Sequence, residues 1–175
     1  MTRPDTGRRL AACACLLLLL APAAAEAKAW RRIVPLRTTR AQVERRLGKP
    51  RPRDRRYHFR TESALVNYAH ADGCAGGAEW DVPRGTVLNI LVTPKRRLNL
   101  SSLRLDLSKF RKTTAGDTTS RALYTNEEEG VTYDVFDAPG EYQGRVQSVT
   151  YGPTAADQHR RCPGKGRPPA ETGGR

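Results

Sequence analysis

Arginine carries the clearest chemical signal in this chain. Between Arg45 and Arg60 stand eight basic residues (Arg45, Arg46, Lys49, Arg51, Arg53, Arg55, Arg56, Arg60) against one acid, Asp54, a surplus of +7 in 16 residues. The whole chain carries +13 at pH 7, so over half of its excess is concentrated there. Guanidinium groups hold phosphate or carboxylate through paired N–H donors. Tyr57 and Phe59 lie inside the run and offer faces on which a base or sugar can stack. Arg51, Arg53, Arg55, Arg56 and Arg60 are therefore the candidate anion-binding residues, and Lys95-Arg96-Arg97 forms a second, smaller cluster. Such a surface suits an anionic partner: a lipid headgroup, an acidic glycan, nucleic acid or an acidic protein. The competing reading is compositional, because arginine outnumbers lysine 25 to 6 and a solvated basic loop follows from that bias alone.

Sulfur is the second possibility. Cys13 and Cys15 fall in the apolar amino-terminal segment, which leaves Cys74 and Cys162 for the folded domain. Two cysteines in an oxidising compartment pair most often. Closing so long a loop restricts the unfolded chain by about 4–5 kcal/mol in the entropy picture. A nucleophilic thiol with His70 or His159 as its base is the rival, but no motif surrounds either cysteine. Two cysteines fall short of a structural zinc site.

Other chemistry finds little footing. His58, His70 and His159 are scattered without metal-ligand spacing, and there is no G-x-S-x-G, P-loop or dinucleotide fingerprint. Glu127-Glu128-Glu129 lacks the alternating oxygen ligands of a calcium loop and reads as a solvated turn. No catalytic residue, metal site or cofactor is assigned. Trp80 and the tyrosines read as core or sheet-face residues.

The elements that must position these residues begin with a helix over 40–47. Thr39 and Gln42 make a capping box, Val43 and Leu47 form a narrow apolar stripe, Gly48 suits the exit and Pro50 blocks continuation. Extended segments follow at 57–60, 64–69 and 86–92, with a glycine-rich loop at 72–77 and a turn at 83–85. Residues 98–110 carry leucines of ambiguous period, and Ser101 is expected to cap a short helix holding Leu103 and Leu105. Residues 113–120 read as a polar loop. Residues 123–125 and 131–136 form a hairpin around 126–130, 146–151 is the last strand, and Thr154 caps a single turn that delivers Cys162. The expected fold is α+β: an antiparallel sheet of five or six strands with one or two short helices packed on one face.

The amino terminus has the layout of a secretory signal. Arg3, Arg8 and Arg9 make a basic n-region, Leu10 to Leu20 an apolar run, and Ala25-Glu26-Ala27 a small-residue cleavage site. The run is too short to span a bilayer, which takes about 20 apolar residues. Leu10-Ala11-Ala12-Cys13 matches a lipidation pattern, but the apolar core follows Cys13, whereas insertion requires it beforehand. The organisation is then a cleavable signal at 1–27, a single domain at 28–162 and a disordered tail at 163–175. Cleavage leaves 148 residues carrying +12 and no transmembrane segment, enough chain for one domain with its own core. The domain is extracytoplasmic, periplasmic or secreted. That location, and the lack of any nucleic-acid module, argue against nucleic acid as the partner.

At Thr38-Thr39-Arg40-Ala41-Gln42-Val43-Glu44-Arg45-Arg46-Leu47-Gly48-Lys49-Pro50 the chain resembles SmpA/OmlA-type outer-membrane assembly lipoproteins and β-lactamase inhibitory proteins. Both carry a helix of the form T-x-x-Q-V-x-x-x-L-G-x-P followed by an extended aromatic segment comparable to Tyr57-His58-Phe59. The resemblance implies that the helix packs on a small antiparallel sheet and that the motif brings no enzymatic activity. A lipidated cysteine at the mature start, usual in the assembly lipoproteins, is missing here. The mature chain is also similar to a group of uncharacterised exported proteins of soil bacteria. Val34-Pro35-Leu36-Arg37-Thr38-Thr39, Trp80-Asp81-Val82-Pro83, Asp106-Leu107-Ser108-Lys109-Phe110 and Tyr124-Thr125-Asn126-Glu127-Glu128-Glu129-Gly130 carry that likeness, which implies a common fold.

These readings converge on an exported, non-enzymatic binding or scaffold domain that docks an unknown protein or an anionic envelope component through 45–60. The alternatives are an inhibitor of a secreted enzyme, which should display exposed aromatics such as Tyr124, Tyr133 and Tyr151, and a secreted enzyme. Protein recovered from its native source should begin at Lys28 by terminal sequencing. A product beginning at Met1 with free thiols at Cys74 and Cys162 would contradict export.

Overall fold

The computed structural model describes residues 27–51, 56–115 and 120–164. Residues 1–26 of the expected signal, Arg53 and Arg55 of the basic run, and residues 165–175 of the expected tail lie outside the described residues. Helix α1 spans Arg40–Leu47, as its end signals dictate. The Thr39 hydroxyl accepts from the Gln42 amide, the Gln42 side chain accepts from the Thr39 amide at 2.8 Å, and Gly48 leaves the helix at φ 78°. Val43 is the buried residue of α1, and burying a valine fully contributes about 1.5–3 kcal/mol.

Seven strands follow: β1 (Arg56–His58), β2 (Glu62–Tyr68), β3 (Val87–Pro94), β4 (Arg111–Thr114), β5 (Arg121–Asn126), β6 (Val131–Phe136) and β7 (Val146–Tyr151). They form one antiparallel sheet in the order β1-β2-β3-β7-β6-β5-β4. The chain lays down β1 to β3 as a meander, crosses through residues 95–110 to the far edge, and returns strand by strand until β7 closes against β3.

The sheet is thus larger than the five or six strands expected. The extra strand is β4, which occupies part of what reads as a polar loop. Arg-Lys-Thr-Thr has no apolar alternation because β4 is an edge strand with little to bury. The segment before it also differs from expectation. A short 3-10 turn runs over Leu100–Leu103 with Asn99, not Ser101, at its start, and Leu105 lies beyond it. β1 ends at His58 rather than continuing to 60. The last turn, Ala155–Arg160, does begin at Thr154 as expected.

One face of the sheet is covered in two pieces. Trp30, Ile33 and Val43 pack over Tyr57, Ala64, Val66, Ile90 and Val92, while Leu100 with its neighbours Leu98, Leu103 and Phe110 covers Val131, Tyr133, Val135, Val146 and Val149. Tyr151 packs against both groups. The opposite face is different in kind. A single register row crosses all seven strands there: Arg56, Leu65, Leu91, Thr150, Thr132, Thr125, Arg111. Leu65, Leu91 and the nearby Leu123 belong to no core cluster. Hydroxyls and amides bond along this face, Thr125 to Thr132 at 3.1 Å and Asn67 to Asn89 at 2.7 Å.

The carboxyl-terminal segment is tied back in three ways. The Cys74 and Cys162 sulfurs lie 2.19 Å apart with Cα atoms at 5.5 Å, which matches the expected pairing. Gly130, in the β5–β6 turn at φ +64°, meets the backbone so closely that an added Cβ would stand 2.4 Å from the Gly152 carbonyl oxygen. Asp157 is almost wholly buried, and its carboxylate accepts from the Thr154 amide at 2.9 Å and hydroxyl at 2.7 Å, with Arg37 at 3.6 Å. Burial alone would raise this carboxyl, but the two Thr154 bonds, with Arg37 and Arg160, outweigh it and hold it below its ordinary value.

Two outcomes follow from these contacts. Gly130→Ala should lower stability by about 2–4 kcal/mol in chemical denaturation, because it combines strained φ with backbone overlap. Because the folded carboxyl of Asp157 is depressed, its contribution is complete above the ordinary aspartate range and is lost as pH falls through the folded value. Asp157→Asn should therefore weaken the protein by about 1 kcal/mol near neutrality and flatten its loss of stability below about pH 4. An unchanged acid profile would rule out that role.

Candidate functional site

Arg51 and Arg56 meet at the outer edge of β1, where the Arg51 amide donates to the Arg56 carbonyl at 3.2 Å. A recess of about 200 Å³ forms there, lined by Leu47, Lys49, Arg51, Arg56, Tyr57, His58 and Phe59. Among the described residues, no carboxylate lines it. Arg31 covers Phe59, with its guanidinium carbon 3.9 Å from the ring centroid, and Trp30 meets Phe59 edge-on at 5.6 Å. The aromatic wall of the recess is thus held by packing rather than left to swing.

Tyr57 also borders a second, larger recess of about 760 Å³ between α1 and the part of β2 that extends past β1. Arg40, Glu44, Pro50 and Tyr68 complete its rim with residues 65–67. The Arg40 guanidinium carbon sits 4.5 Å from the Tyr68 ring centroid, a cation–π contact. Burial pushes both phenols up, Tyr68 most, so both hydroxyls stay protonated throughout the neutral range. The two phenol oxygens are sheltered from solvent and influence one another, yet neither is placed with the geometry of a hydrogen bond. Protonated phenols and guanidinium groups are all donors, and what they favour is an acceptor carrying negative charge.

The structure therefore brings together Arg51 and Arg56 and adds Lys49 and Arg40 to them. Arg60 is exposed in the turn between β1 and β2 and lines neither recess. Arg40 and Tyr68 lie just outside the basic run, five residues before Arg45 and eight after Arg60, and were missed because only the packing of α1 beside β2 brings them to it. The one pointer to Arg40 was its place in the first turn of a helix whose last turn carries Arg45 and Arg46.

The remaining candidates are engaged elsewhere. His70 faces the Gly76 carbonyl at 3.5 Å and His159 the Ala156 carbonyl at 2.8 Å. With Cys74 and Cys162 bonded to each other, no thiol is left among the described residues for a cysteine–histidine pair. Glu127 pairs with Arg111 at 2.9 Å and Glu129 with Lys28 at 3.0 Å, while buried Asn126 accepts from the Glu129 amide and fixes the turn. Tyr124, Tyr133 and Tyr151 belong to the covered face of the sheet. They are not the exposed aromatic set that an inhibitory surface would present. Among the described residues, no helix is long and apolar enough to cross a membrane.

Comparison of the chain with family models, with curated proteins and with solved structures finds no match.

Proposed function

We propose that this protein is an exported, non-enzymatic binding domain that docks an anionic component of the cell envelope at the corner formed by α1 and β1. The observation that carries this reading is the convergence of Arg40, Lys49, Arg51 and Arg56 on two recesses flanking Tyr57, with Glu44 the one carboxylate among their described lining residues. Charge gathered in concave sites acts at a distance and also holds its ligand once bound, because the walls exclude water. Arginine forks suit the flat oxygen pairs of phosphate and carboxylate, and the aromatic rings give an apolar floor. Basic residues on an edge strand also discourage strand-to-strand association, so Arg56 on β1 serves the fold as well as the ligand.

Co-sedimentation with phosphatidylglycerol-containing vesicles, compared with phosphatidylcholine vesicles, tests this directly. Binding should require the anionic lipid and weaken steeply with salt. Each basic residue near such a surface contributes about 1 kcal/mol, so the double variant Arg51→Gln/Arg56→Gln should bind about 30-fold more weakly. Retention on a sulfated polysaccharide column with no vesicle binding would move the assignment from lipid to glycan. Salt-independent binding, or a double variant that binds like the original, would defeat the proposal.

A further inference from the structure

The two covers of the sheet do not meet. Between them, over β3 and β7, lies a cleft of about 280 Å³ floored by Val92, Val149, Tyr133 and Tyr151 and walled by Leu98 and Leu103. Tyr151 packs against both half-cores and so marks the seam. The volume lies just below the range of small-ligand pockets, about 300–1,000 Å³.

The rim is not neutral. Arg96 and Arg97 are exposed and both line the cleft. Arg97 is committed to Glu141 at 2.7 Å. Glu62, which also lines the cleft, is held by Arg31 at 3.1 Å. Among the described residues Arg96 has no ion pair, so its positive charge stands at the mouth without a carboxylate of its own. Of this second basic cluster, Lys95 donates to the Phe59 carbonyl, whereas Arg96 and Arg97 line neither recess of the α1–β1 corner.

We infer that the seam is a binding site for a medium-chain monocarboxylate, its alkyl chain between the half-cores and its carboxylate at Arg96. An apolar chain of eight to ten carbons matches the volume, at about 30 Å³ per group. Displacing water from leucine, valine and tyrosine surfaces supplies the attraction, about 25 cal/mol per Å² of apolar area buried. Arg96, the rim cation not committed to a described carboxylate, selects an anionic head over a neutral one. Burial raises the Tyr151 phenol to about 12, so its hydroxyl remains a donor beside any carboxylate at the mouth.

The experiment is isothermal titration of the full exported chain with decanoate below its micelle concentration, with 1-decanol as the uncharged match. Decanoate should bind saturably at one site, and decanol about tenfold more weakly. Leu103→Trp, which fills the cleft, should abolish binding. Arg96→Gln alters only an exposed side chain and should weaken decanoate about tenfold while leaving decanol unchanged. Should Leu103→Trp fail to fold, Arg96→Gln still decides the question. No saturable decanoate binding, equal affinity for decanol, or indifference to Arg96→Gln would each overturn the inference. Arg51→Gln/Arg56→Gln should leave decanoate binding intact, so loss of envelope docking and loss of chain binding are told apart.

Discussion

The width of the sheet governs this molecule. Seven strands spaced about 4.8 Å apart span about 29 Å, whereas an α-helix with its side chains is about 10–12 Å across. One helix of eight residues therefore covers β1 to β3 at most, and the rest of the apolar face must be hidden by something else. The crossover between β3 and β4 does this with irregular backbone and a short 3-10 turn, its Leu98, Leu100, Leu103, Leu105 and Phe110 placed to suit the sheet rather than any helical period. The seam at Tyr151 is the geometric residue of that division of labour.

The uncovered face is kept in water by its composition. Threonine, asparagine and serine have high enough strand compatibility or hydrogen-bonding capacity to sit there without needing a cover, and Thr125 and Thr132 bond across the pairing. At both ends of the shared register row an arginine stands on an edge strand, Arg56 on β1 and Arg111 on β4. Positive charge thus sits where an open sheet is most exposed to pairing with another chain. On the β4 side it is offset by Glu127 and Asp137, which pair with Arg111 and Lys112. On the β1 side the two recesses gather four cations around Tyr57, with Glu44 the one carboxylate among their described lining residues.

Distant segments are fastened by contacts of quite different kinds. Lys28 reaches the β5–β6 turn through both its amide and its side chain, Gly130 lets the backbone at Gly152 and Pro153 approach the same turn, and the disulfide joins the 72–77 loop to the last residues of the domain. Around the disulfide, Trp80, Val82, Leu36 and Ala69 make a small third cluster. These ties hold a broad, shallow core closed at its ends, where a two-layer fold would otherwise fray.

Local chemistry was readable from the sequence alone. The caps of α1, the β5–β6 hairpin set by Asn126 and Gly130, the last strand and the turn begun by Thr154 all depend on residues within a few positions of one another, and side-chain preferences act at that range. The pairing of Cys74 with Cys162 was also legible, because the domain holds just these two cysteines once 1–27 are set aside. Tertiary structure decided the rest. β4 has no apolar pattern, since an edge strand of four residues takes its conformation from β5 and not from its own side chains. Leu98, Leu100, Leu103 and Leu105 follow the surface they cover while Leu107 stays exposed, so their period misled. Arg40 and Tyr68 join Arg51 and Arg56 because α1 crosses the sheet beside β1, and such a juxtaposition is set by packing between elements, which no local spacing of residues records.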